Sequence, residues 1–160
     1  MQKYILVKLL EDVPVGSEFS AATWPLHLTL VDDFLSSLDE VGIQQKLNEL
    51  LANHLPYAKT MAISDDLLGP LKTVPVVLLQ VTPTLLSLHT LLVDFLKQSA
   101  VVLVSPEFAG EGYKPHVTIQ DTGRVAVGSE VIVDTVSIVA MSPDGKTRLK
   151  LIDTIKLSGA

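Results

Sequence analysis

The sequence predicts a single α+β domain whose strands pair mainly antiparallel. Its 160 residues suit one compact unit. Apolar residues alternate with period two over several stretches and recur near helical spacing over two others. The segments follow one another as strands, helix, strands, helix, strands, with short connections that favour antiparallel neighbours. With 48% hydrophobic and 19% charged residues, the composition is that of a folded protein rather than a disordered one. A chain of this length buries enough surface to fold without a metal or disulfide.

Lys3 to Leu10 reads as a first strand, with β-branched Ile5 and Val7. A loop marked by Pro14 and Gly16 follows. Trp24 to Val31 then alternates clearly: Leu26, Leu28 and Leu30 share one face, His27 and Thr29 the other. From Leu35 to His54 the period becomes helical, with Leu35, Leu38, Val41, Leu47, Leu50 and Leu51 recurring before Pro56 closes the segment. Tyr57–Ser64 and Val74–Val81 form two further strands about the turn residues Gly69 and Pro70. A second helix spans Thr84–Gln98, turning Leu85, Leu88, Leu92 and Phe95 to the core, with Pro83 near its first turn. Val101–Val104 is a short strand, and Pro106, Gly110 and Gly112 mark the loop after it. Lys114–Gln120 alternates again: Val117 and Ile119 face one way, His116 and Thr118 the other. Val131–Met141 reads as one β-branched strand, and Pro143, Asp144 and Gly145 turn it into a last one, Thr147–Leu157.

The net charge is −6, which argues against a protein that grips long nucleic acid through its phosphates. A nucleotide or short RNA end held in a local pocket remains compatible with it. Lys146, Arg148 and Lys150 form the only basic cluster, best read as a solvated strand that resists aggregation. There is no cysteine, so thiolate zinc sites and a cysteine nucleophile are excluded. Lys8 and Glu11 interrupt the apolar N-terminus, no small-residue cleavage site follows, and no stretch nears the about 18 apolar residues of a membrane helix. A cytoplasmic, monomeric protein without membrane contact is expected.

The chemistry lies in a matched pair. His27-Leu28-Thr29-Leu30 and His116-Val117-Thr118-Ile119 each set an imidazole and a hydroxyl on one strand face above apolar neighbours. Phosphodiester cleavage needs a proton taken from the attacking oxygen and one given to the leaving oxygen, and histidine does either near neutrality. Threonine hydroxyls suit the non-bridging oxygens. No metal and no cofactor is called for, and the four histidines lack the close spacing of a zinc site. A single such motif carries no weight, because a strand histidine is usually bonded to a neighbour; the pair does.

These paired motifs resemble the H-x-T/S-x repeats of the two-histidine (2H) phosphoesterase superfamily, which includes 2′-5′ RNA ligase-like proteins and 2′,3′-cyclic nucleotide phosphodiesterases. The likeness extends to the N-terminal strand, the Pro-bearing approach to the first motif, the helix after it, a Leu88-His89 helix start, and the run from Phe108 to Ile119. It implies a bilobal domain over residues 1–160: two antiparallel sheets related by a pseudo-twofold axis, motifs facing across a central cleft, helices outside. It makes His27 and His116 the acid/base pair, either of which could be the base, and Thr29 and Thr118 the phosphate-holding groups. Only two arginines, with Asp32 and Asp33 close after the first motif, lean the reading toward a small or short substrate.

Trp24 and Tyr113, each three residues before a motif histidine, are candidates to stack on a substrate base or to pack the loops. His54 suits a helix C-terminus and His89 a helix surface or boundary. The expected reaction is opening of a 2′,3′-cyclic phosphate or a related phosphodiester of a nucleotide or RNA end, with 2′-5′ cleavage or ligation as the alternative. Rivals are a binding module that captures a phosphorylated ligand without turnover, and a carbohydrate or lipid phosphodiesterase.

Overall fold

The computed structural model describes residues 1–51 and 57–157, so His54 and Pro56 lie outside the described residues. In chain order it contains β1 (Gln2–Leu9), β2 (Glu18–Phe19), β3 (His27–Ser36), α1 (Glu40–Leu51), β4 (Ala58–Leu68), β5 (Val74–Leu79), α2 (Pro83–Gln98), β6 (Val102–Leu103), β7 (His116–Thr118), β8 (Glu130–Val133), β9 (Thr135–Met141) and β10 (Leu149–Lys156). The strands form an antiparallel ladder ordered β2-β10-β9-β1-β3-β7-β5-β4-β8, with β6 pairing the far end of β3. The α+β class is as the sequence predicts. The two halves of the ladder meet at a narrow seam, where β3 and β7 share the single register pair Leu28–Val117.

Both helices cover one face of this sheet. Ile43, Leu47 and Leu51 of α1 and Leu85, Leu88, Leu92 and Leu96 of α2 join Leu28, Val77 and Val117 in the main core. Thr82 caps α2 by accepting the Leu85 N–H at 3.3 Å, and Pro83 follows as first helical residue, where a missing N–H does no harm. The opposite face carries a smaller core under the loop between β1 and β3, in which Ile5, Val7, Leu9, Val139, Leu149 and Leu151 meet Val13, Phe19 and Trp24.

Three elements depart from the sequence reading. The first helix begins at Glu40 rather than Leu35, because β3 runs on to Ser36 against β1 and the Asp39 carboxylate takes the Gly42 N–H at 2.8 Å as an N-cap. Its buried stripe accordingly includes Ile43, while Val41 faces solvent. The long strand Val131–Met141 is two strands divided at Asp134: β8 pairs with β4 in one half and β9 with β1 and β10 in the other. Asp134 anchors this crossing through an ion pair with Lys8 at 2.6 Å. The two-residue β2, unforeseen, pairs with β10; Lys150 of β10 meets Glu40, and Arg148, just before that strand, meets Glu18. The basic cluster is thus partly neutralised within the fold.

β3 is also bulged. Val7 pairs with Thr29 and Leu6 with Val31, leaving Leu30, the last residue of the first motif, as an extra residue. A bulge of this kind re-aims a strand and strands a backbone group outside the ladder.

Candidate active site

The register at the seam arranges both motifs. Leu28 and Val117 face each other and point into the core. Reading outward along an antiparallel pair, His27 comes opposite Thr118, and Thr29 opposite His116, all four on the other face. They are half-buried, as residues lining a cleft are. The imidazoles occupy diagonal corners of this square, about 7–8 Å apart at their origins in such a ladder.

The two rings are oriented alike. His27 Nδ1 lies 2.9 Å from the Pro25 carbonyl, and His116 Nδ1 lies 2.8 Å from the Lys114 carbonyl. A carbonyl only accepts, so Nδ1 carries the hydrogen in both rings and Nε2 is left for chemistry. Each motif therefore uses the carbonyl two residues upstream to fix its tautomer. Burial holds the His27 pKa down at about 4, opposed in part by its bond to Pro25 and reinforced electrostatically by nearby His116. His27 is neutral at pH 7, and its lone pair is on Nε2.

Trp24 packs against this histidine, ring centres 4.0 Å apart, and is itself backed by Phe19 at 4.9 Å. It covers the motif face on the β1 side, where Leu9 pairs with His27 and Val7 with Thr29. On the other side β5 continues the face, with Leu78 opposite His116 and Val76 opposite Thr118. Tyr113 is held otherwise: its hydroxyl donates to the Thr29 carbonyl at 2.9 Å, and its ring stacks on His89 at 3.9 Å.

A model of the 2′-5′ RNA ligase superfamily matches residues 16–137, which include both motifs and three-quarters of the chain. The chain belongs to this superfamily. Solved structures of similar fold include a phosphoesterase (21% identity, TM-score 0.57, covering 98% of this chain and 99% of that one). They also include E. coli LigT complexed with 3′-AMP (18%, 0.60, 98% of each chain) and TT0787 of Thermus thermophilus (17%, 0.60, 99% of each). Other LigT structures hold ATP, NADP+ or phosphate. No curated protein matches the sequence. The superfamily is one of phosphoesterase- and ligase-like enzymes, and the two-histidine resemblance is upheld.

This superfamily member carries a feature the sequence reading missed. His89 is not on a helix surface, nor at a helix start: it is a mid-helix residue of α2 and buried. Its Nδ1 donates to the Leu30 carbonyl at 2.6 Å, and its Nε2 accepts the Gly110 N–H at 3.0 Å. Those two bonds require a neutral ring, and burial lowers its pKa accordingly. The signal was present: Leu85, His89, Leu92 and Leu96 share one helical stripe. Gly112 is required nearby, since a Cβ there would lie 1.8 Å from the Glu107 carbonyl oxygen.

Asp32 sits by the same loop, its carboxyl pushed up to about 6 by burial and by Asp33 beside it. Among the described residues no group of three or more His, Cys, Asp or Glu is placed to hold a metal ion, and no helix is long and apolar enough to cross a membrane.

Proposed function

We propose that the protein is a metal-independent phosphoesterase that opens a 2′,3′-cyclic phosphate, or a related phosphodiester, on a nucleotide or short RNA end. One observation carries the reading: two imidazoles at diagonal corners of the seam, each with Nδ1 tied to the carbonyl two residues upstream and Nε2 left for reaction. His27, kept neutral by burial, takes the proton of the attacking water through Nε2. His116 gives the proton of its Nε2 to the departing ribose oxygen, so the P–O bond breaks as the water oxygen joins phosphorus. Thr29 and Thr118 hold the non-bridging oxygens, where charge builds. Trp24 borders the substrate as well as packing on His27, whereas Tyr113, the other aromatic candidate, supports the site from the Thr29 carbonyl and the His89 ring.

The nucleoside lies over β5, on the apolar floor of half-buried Leu78, with Ser64 of β4 paired beyond it. That floor favours a small substrate with a single phosphodiester charge. The chain acts as a monomer in the cytoplasm on this reading. LigT, of the same fold, is seen with nucleotides, which supports a nucleotide-sized occupant. The same pair, run with a ribose hydroxyl in place of water, would serve 2′-5′ cleavage or ligation.

The test is turnover of the four 2′,3′-cyclic nucleotides in EDTA, with the product isomer identified. Hydrolysis to one isomer supports the reading. No turnover by folded protein, on these and on 2′-5′ oligomers and cyclic RNA ends, sends it to a binding module or a non-nucleotide phosphodiester.

A further inference from the structure

Beyond Leu28, the β3 edge that faces β7 has no strand partner among the described residues until β6 pairs with Phe34 and Leu35. The carbonyls of Thr29 and of the bulge residue Leu30 are taken instead by two side chains, Tyr113 Oη–H at 2.9 Å and His89 Nδ1–H at 2.6 Å. Both side chains lead to the second motif. His89 Nε2 accepts the Gly110 N–H, Tyr113 stacks flat on the His89 ring at 4° and 3.9 Å, and the chain from Tyr113 reaches His116 in three residues. Lys114, between them, supplies the carbonyl that orients the His116 ring.

From this continuous path, we infer that His89 and Tyr113 form a brace that sets the position of His116 relative to the first motif, so that they are positioning residues for the acid/base pair. This rests on the proposed function of that pair. The brace stands where the ladder between β3 and β7 stops after Leu28, and it satisfies the Thr29 and Leu30 carbonyls with side-chain donors. Gly112 permits the tight 3-10 turn that delivers Tyr113. A merely structural His89 would need only to fill its place among Leu85, Leu88 and Leu92. The observed ring instead commits both nitrogens to the two segments that flank the site.

Three variants test it: Tyr113→Phe keeps the stacked ring and removes one bond; His89→Leu fills the space without bonds; His89→Gln can still donate to Leu30 and accept from Gly110. Each is measured for thermal midpoint, for kcat and KM on a cyclic nucleotide, and for the imidazole NMR signals of His27 and His116 without substrate. The brace predicts that Tyr113→Phe and His89→Leu lower kcat about tenfold or more with KM within about twofold, and shift the His116 signals. His89→Gln should stay within about threefold of wild type. Wild-type kcat and unmoved His116 signals in Tyr113→Phe would overturn it, as would His89→Gln no better than His89→Leu in a folded protein. Were the wild type inactive on every substrate, the catalytic reading would fail, and the NMR signals alone would decide the brace.

Discussion

His27→Ala and His116→Ala will each lower kcat on a cyclic nucleotide by about 10²–10⁴-fold, while the protein stays folded. Each substitution removes one Nε2 from the square formed at the β3–β7 seam and leaves Leu28 and Val117 in the core. The reaction then has a base without an acid, or the reverse, and the double variant should be little worse than the poorer single one, because residues acting as a unit do not add. Thr29 and Thr118 remain in both variants, so KM should move far less than kcat. Steady-state kinetics with circular dichroism as the folding control check this. Full activity in either single variant would remove that histidine from the mechanism.

A second large effect concerns stability against pH. His27 has its pKa lowered to about 4 in the folded protein, against an ordinary value near 6.5 in the unfolded chain. Below about pH 6.5 the unfolded chain takes up a proton that the folded one refuses, so folding weakens as pH falls, levelling off below about 4. The loss from this residue is on the order of 3 kcal/mol between about pH 7 and about pH 4. Asp32, raised to about 6, acts in the opposite sense over part of that window, because its folded form accepts a proton first. The clean comparison is therefore wild type against His27→Gln, in which glutamine keeps a donor for the Pro25 carbonyl. Urea unfolding at about pH 7 and about pH 4 should show the variant gaining on the wild type by about 3 kcal/mol as the medium is acidified. A stability difference independent of pH would mean that the ring is not held neutral.

The sequence showed much of this site because its two strands announce themselves locally. Alternation around Leu28 and around Val117 puts the histidines and threonines on one face, and the structure keeps that face. What it could not show depends on long-range pairing. The bulge at Leu30 exists only relative to β1, so the continuation of β3 to Ser36 was hidden behind residues with helical spacing. The division at Asp134 is likewise silent locally, since β8 and β9 are both β-branched and differ only in which neighbour they pair with. His89 was misplaced for the same reason. A histidine in an apolar helical stripe is costly to bury without partners, and its partners, Leu30 and Gly110, are supplied by the bulge and by a loop distant in sequence.

Tyr113 and Trp24 make the same point from opposite sides. Both stand three residues before a motif histidine, yet Trp24 packs on its own His27, whereas Tyr113 reaches across to Thr29 in the other motif. Equal spacing along the chain carries no hint of that asymmetry, because it follows from which side of the seam is covered by the loop that carries Trp24.

The most direct measurement of the acid/base pair is kcat/KM against pH on a 2′,3′-cyclic nucleotide, with EDTA present throughout. An acid/base pair predicts a bell, with activity lost on the acid side as His27 takes up its proton near pH 4 and on the alkaline side as the general acid loses its own. His27→Ala should abolish the acid limb and His116→Ala the alkaline one in whatever rate remains. A profile that rises steadily with hydroxide, or activity that EDTA removes and added metal restores, would contradict it.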